Sequence, residues 1–222
     1  MLQSLTIQFL KTLSKNNNKV WFDAHRDQYL NAKKDFENFV SAIIKKTATF
    51  DSDVKDLQVK DCVFRINRDI RFSKNKTPYK TNMGASFDRG GKKSIYAGYY
   101  FHAEPGGKSF VGGGIWMPMA PELKKIRQEI DYSFDEFKSI VEAKNFVSEY
   151  KELENTPDVK LNNLPRGYDK ENPAGEYLKF KSILALKYLP VEDLTSNKLT
   201  DKTIKAFKAL MPLVKFINKA LE

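Results

Sequence analysis

Apolar residues at Leu5, Phe9, Leu10 and Leu13 recur every three or four positions, which predicts an amphipathic helix over residues 4–14. The polar run Lys15-Asn16-Asn17-Asn18 breaks it, and Asn17 or Asn18 can cap the next helix by accepting from a freed backbone N–H. From Lys19 to about Ala48 the positions Val20, Trp21, Ala24, Tyr29, Phe36, Phe39, Val40, Ile43 and Ile44 keep helical spacing. They predict one long helix with an interruption near Asn31. At Cys62 the period changes. Cys62, Phe64 and Ile66 alternate with Val63, Arg65 and Asn67, the pattern of a strand with one apolar face. Further strands are predicted near 83–87, 95–104, 109–116 and 182–189, with turns at Asp88-Arg89-Gly90-Gly91 and Pro105-Gly106-Gly107-Lys108.

Helices return after the fourth strand. Pro121 suits the first turn of a helix carrying Leu123, Ile126 and Ile130. Ser133 with Glu136 three residues on reads as a capping box, and Asn145 to Leu153 as a short helix. Residues 155–172 are loop-like, Asn172-Pro173 starts a short helix, and Thr200 caps the last one. The stripe of that last helix is Ile204, Phe207, Leu210, Val214, Ile217 and Leu221, and Pro212 predicts a kink in it. Helices, then clustered strands, then helices predict an α+β fold. The expectation is a single α+β domain over 1–222, with a mainly antiparallel sheet of about five strands packed by N- and C-terminal helices. The loop at 155–172 is where a division would fall.

Composition changes this picture in one respect. The chain has 38 Lys and Arg against 28 Asp and Glu, a net charge of +10. Half of that excess lies between Arg65 and Lys80, where three Arg and three Lys face one Asp, a net +5 in 16 residues. Such density points to an anionic partner. The lysines of the predicted helices read instead as solvated faces. Cys62 is the only cysteine, and it sits in an apolar run as a small hydrophobe. No intrachain disulfide can form. His25 and His102 are the only histidines, so no zinc site of Cys and His is expected, and no metal site is assigned. The N-terminus does not read as a signal peptide, and no stretch approaches the ~20 apolar residues of a membrane span. A soluble cytoplasmic protein with no membrane partner is the default expectation. The oligomeric state and any cofactor stay undefined.

Several residue groups carry candidate chemistry. Arg65, Asn67, Arg68, Arg71, Lys76 and Lys80 form a basic rim whose guanidinium forks match carboxylate or phosphate oxygens. Tyr79 and Trp116 supply walls. The opposing reading pairs these arginines with Asp69 or Glu104 to hold a loop. Gly112-Gly113-Gly114 lies inside a strand, where glycine marks a close approach. It lacks the Lys-Ser/Thr and helix of a phosphate loop. His102 and Glu104 share a strand face with Tyr100 and could perform acid–base chemistry, with Asp69 as a further acid. No serine or cysteine stands beside them as a nucleophile, so a structural histidine is the opposing reading. His25 reads as a helix-packing residue. Arg166-Gly167-Tyr168-Asp169 is a polar loop or a plain surface turn.

Five segments carry a resemblance: NNNKVWFDAHRDQY at 16–29, FRINRDIRFSKNKTPYK at 64–80, EPGGKSFVGGGIWMP at 104–118, PRGYDKENPAGEYLKFKS at 165–182 and ALMPLVKFI at 209–217. In this order they resemble a family of uncharacterised, mostly microbial proteins catalogued as a conserved domain of unknown function. The resemblance spans nearly the whole chain. It implies one α+β domain and no assigned catalytic residue.

Function is therefore read from residues. The leading expectation is binding of a small phosphate- or carboxylate-bearing molecule by the Arg/Lys-rich loop. The alternatives are nucleic-acid binding, a hydrolase or transferase using His102, Glu104 and Asp69, and an interface for an acidic protein. Whether the chain is an enzyme stays open.

Overall fold

Leu10 and Leu13 are fully buried on helix α1 (Ser4–Lys15) of the computed structural model, which describes residues 1–222. The polar break holds, and Asn18 caps α2 (Lys19–Ala24) by accepting from Trp21 N at 2.9 Å. The long helical pattern is interrupted at His25, not at Asn31, and continues as α3 (Arg26–Thr47). The physical reason is local. The imidazole of His25 stacks on Trp21 at 4.0 Å, and its Nδ1 bonds Trp21 O at 2.8 Å. That carbonyl is thereby shared with the ring at the point where the helix ends.

A 3-10 turn at Ser52–Val54 precedes the short α4 (Val59–Cys62). The strand expected over 62–67 does not form. Only isolated antiparallel bridges occur there, Val63 with Ala85 and Asn67 with Tyr79. Going from 63 to 67 takes four residues, while 85 to 79 takes six, so no common register exists and a ladder cannot propagate. Four strands remain: β1 (Met83–Asp88), β2 (Gly98–Ala103), β3 (Phe110–Ile115) and β4 (Ile183–Tyr188). They form an antiparallel sheet in the order β1-β2-β3-β4.

The remaining helices are α5 (Ala120–Tyr132), α6 (Phe134–Val141), α7 (Lys144–Tyr150), α8 (Gly175–Leu178) and α9 (Leu199–Leu221). Nine helices with an antiparallel sheet confirm the α+β class. Pro121 stands in the first turn of α5 as its geometry allows. Ser133 precedes α6 but makes no capping bond, because its hydroxyl donates back to Glu129 Oε1 at 3.1 Å. Thr200 lies inside α9 rather than before it, and that helix runs unbroken through Pro212.

The chain divides into two compact units. The first comprises residues 1–92, 100–111 and 188–205, the second 93–99, 112–187 and 206–222. The first unit buries aromatic rings from its helices against β2, with Phe39 4.6 Å and Phe36 6.3 Å from Phe101. Asp35 anchors the start of α1, accepting from Gln3 N at 2.9 Å and Thr6 Oγ1 at 2.6 Å. In the second unit Tyr99 stacks on Phe207 at 4.7 Å and Phe137 meets Phe216 at 5.4 Å. There the buried Asn218 accepts from Ala97 N at 2.7 Å and donates to Ala97 O at 3.1 Å. One side-chain amide thus satisfies both backbone groups of a buried residue just before β2.

Candidate functional site

Along β2, Phe101 points at the helices, so the pleat turns Tyr100, His102 and the following Glu104 to the opposite face. On that face His102 Nε2 donates to Glu104 Oε2 at 2.9 Å. The bond fixes the tautomer, leaving Nδ1 toward the Tyr100 hydroxyl at 3.4 Å. Both partners are shielded, with His102 side-chain exposure at 13% and Glu104 at 18%. Phe110 of β3 lies flat on the imidazole, 4.7 Å away at 10°. Phe64 meets the Tyr100 ring edge-on at 6.1 Å.

Glu104 is held at both ends. Its other carboxylate oxygen accepts from Thr81 Oγ1 at 3.1 Å and lies 3.8 Å from Lys108 Nζ. Its backbone is clamped by Ser109, whose hydroxyl accepts from Glu104 N at 2.9 Å and donates to Glu104 O at 2.8 Å. The Gly106-Gly107 turn between them has both φ angles positive, near 80°, which the absence of a side chain permits. Burial and the nearby Glu104 charge push the Tyr100 phenol up to about 12, so it stays protonated.

The basic segment separates into committed and uncommitted charges. Arg68 is a brace. Its Nη1 donates to Thr77 O at 3.0 Å and to Thr77 Oγ1, its Nη2 to Ser73 Oγ at 3.3 Å, and its backbone N to Pro78 O at 2.9 Å. Arg71 pairs with Asp69 at 2.7 and 3.0 Å on the exposed side of the loop. That pairing holds the Asp69 carboxyl below its ordinary range. Asp69 makes no bond to His102 or Glu104. Lys76 reaches Ile70 O at 3.0 Å. Asn67 is exposed and bridges to Tyr79 through its backbone. Tyr79 is 7% exposed and stacks on Phe22 at 3.9 Å, so its ring belongs to the core.

Two cations remain. Arg65 makes no hydrogen bond or ion pair with its side chain. Lys80 is half-buried, with Nζ 5.3 Å above the Phe64 ring and no carboxylate partner. Its ammonium pKa is lowered, first by burial and then by the positive charge of Arg65. Lys80 is followed in sequence by Thr81, which holds Glu104. Lys80 thus reaches the Tyr100–His102–Glu104 face through the Phe64 ring, while the exposed Arg65 acts on both Lys80 and Asp69, all within the first unit.

The other sequence candidates lie elsewhere. Trp116 is in the second unit and 64% exposed. Gly114, at φ 115°, packs against the Ile183 carbonyl, and a Cβ at Gly112 or Gly113 would strike the carbonyls of Ala185 or Gly98. The glycine run is thus a close approach of neighbouring strands. Tyr168 lies near Asp131 and Arg127, and its phenol is raised first by burial and then by Asp131, against Arg127. An open hollow of about 610 Å³ occurs by Asp53, Asp56, Asp61 and Arg89, outside the groups singled out by sequence. No group of three or more His, Cys, Asp or Glu is arranged to hold a metal. No helix is long and apolar enough to cross a membrane.

Sequence reasoning passed over Thr81, Lys108, Ser109 and Phe110 as site residues. The spacing of Glu104 and Ser109 about Gly106-Gly107 was the available signal for the clamp. Thr81 had none, because its contact depends on pairing between strands. Comparison with known proteins gives the family. A family model described as a conserved hypothetical protein, DUF2461, matches residues 5–216. The chain belongs to this family. No curated protein and no solved structure matches the chain. The DUF2461 match covers both the basic segment and the β2 face.

Proposed function

We propose that this DUF2461 protein binds a small anionic molecule, bearing a phosphate or carboxylate, at Arg65 and Lys80. The carrying observation is Lys80, a half-buried ammonium beside the Arg65 guanidinium and without a counter-ion of its own. Half-burying the Lys80 ammonium next to the charge of the exposed Arg65 is costly unless an anion completes the group. Arg68, Arg71 and Lys76 are spent on the loop, so the site is narrower than the whole basic segment. The test is thermal unfolding with phosphate, nucleotides and organic acids. A ligand at a hundred times its Kd adds about 2.7 kcal/mol of stability. That gain is expected in the native chain and absent in Arg65→Ala. If none of these anions stabilises the protein, the reading fails.

A second reading has its own support. The 2.9 Å His102–Glu104 bond, shielded on both sides, supports a role for the two as an oriented general acid–base pair. It adds chemistry to the same face rather than a rival location. Glu104→Gln would abolish turnover of a bound ligand while leaving its binding unchanged.

A further inference from the structure

The Lys80 amine is the nucleophile near this face left without a partner, since the Thr81 hydroxyl donates to Glu104, His102 is bonded to Glu104 and the Tyr100 phenol stays protonated. Serine is represented there only by Ser109, whose hydroxyl is used in both directions by the Glu104 backbone. Cys62 is fully buried. The Lys80 Nζ, in contrast, projects over an aromatic ring, partly removed from water, with a guanidinium for a neighbour and no carboxylate to hold it as an ammonium. Desolvation and an adjacent cation are the two devices that convert lysine from a solvated point charge into a reactive amine. The lowered ammonium pKa follows from the same two causes.

From this geometry we infer that Lys80 forms a Schiff base with the carbonyl of a small carboxylate-bearing carbonyl compound, a 2-oxo acid in the simplest case. The inference rests on the anion site proposed above and names its ligand class. Arg65 takes the carboxylate as a fork, which places the neighbouring carbonyl carbon toward Lys80 Nζ. The neutral amine adds to that carbon. Its two hydrogens leave with the carbonyl oxygen as water, and the C=N bond that replaces C=O takes a proton from solvent to become an iminium. No oxidant or reductant is needed. The pair His102–Glu104, reached from Lys80 through the Phe64 and Tyr100 rings, is the group assigned to moving a proton at the carbon next to the iminium. This assigns one role to each group: Arg65 orients, Lys80 bonds, and His102 with Glu104 carries protons.

The test uses the full chain with pyruvate as the probe and borohydride to reduce any C=N bond. The expected result is one reduced pyruvate adduct, located by mass mapping on the Lys80 peptide in preference to every other lysine peptide. Lys80→Arg keeps the charge and should lose the adduct while unfolding at an unchanged temperature. Arg65→Ala should lower the yield without removing Lys80. An adduct spread evenly over surface lysines, or no adduct, overturns the Schiff base. Thermal shift with phosphate and pyruvate in the same samples separates the two claims. Stabilisation without an adduct leaves the anion site standing and removes the covalent step. A Lys80 adduct without stabilisation by any anion does the reverse. Neither signal removes both.

Discussion

The phenol oxygen of Tyr100 occupies the space that a side chain at Gly84 would need. Gly84 is in β1 and Tyr100 in β2, so the ring lies across the neighbouring strand with its hydroxyl over the glycine. Gly84→Ala is therefore an overpacking substitution. It should cost about 1–3 kcal/mol, read as a fall of several degrees in Tm. The double variant with Tyr100→Phe, which removes the offending oxygen, should recover part of that loss. Additive losses would show that the two residues do not share the space.

Asp88 gives the chain a pH dependence. Burial raises its carboxyl to about 7, although Ser86 Oγ serves both oxygens at 2.7 and 2.6 Å. Because the folded value lies above the unfolded one, the contribution is fully present below about pH 4. It is lost as pH rises through about 7, since the unfolded chain ionises first. The effect amounts to roughly 4 kcal/mol at most. Denaturant unfolding between these limits should show stability falling with pH, and Asp88→Asn should flatten that slope. An equal slope in the variant would locate the dependence elsewhere.

Cys62 should be silent toward thiol reagents in the folded protein. It is fully buried, and burial aided by Asp61 and Asp88 pushes the thiol up to about 12. Nucleophilic thiolate is then scarce at neutral pH. Labelling should track global unfolding when denaturant is raised. Stoichiometric labelling in native buffer would contradict this.

Arg68 and Arg71 should behave oppositely although both lie in the basic segment. Arg68→Ala removes the bonds to Thr77 and Ser73 and should expose residues 69–77 to proteolysis and faster hydrogen exchange. Arg71→Ala breaks an exposed pair with Asp69, and such pairs contribute about 0–1 kcal/mol. Its protection pattern should stay near that of the native chain.

Asn218→Ala leaves both backbone groups of Ala97 without their partner inside the second unit. An orphaned buried donor or acceptor costs about 1–3 kcal/mol. A loss in that range is expected from equilibrium unfolding. A change under about 0.5 kcal/mol, the range of an ordinary surface substitution, would show that water replaces the amide.

The α+β class was legible because its signals are periodic and local. Helices α1 and α3 follow from apolar spacing, and the strands β1 to β4 fall where alternation and turn residues place them. The segment 62–67 was misread for a reason of the same kind. Its alternation is strand-like, but a strand needs a partner in constant register, and the two extra residues on the 79–85 side deny it one. At the site, the face shared by Tyr100, His102 and Glu104 was readable from the pleat alone. The sorting of the arginines was not. Whether Arg68 is spent on Thr77, or Lys80 left without a partner, depends on how the loop folds back, and composition is blind to that.

His102 on β2 and Glu104 just past its end sit two residues apart, joined by a bond that spans only the intervening Ala103. Insertion or deletion of a single residue between them would turn one of the two toward Phe36 and Phe39 and end the contact. Substitutions at 101 or 103 leave the spacing intact. Strand length at this point is thus under tighter control than strand composition, and the chain should tolerate replacement here far better than it tolerates a change of frame.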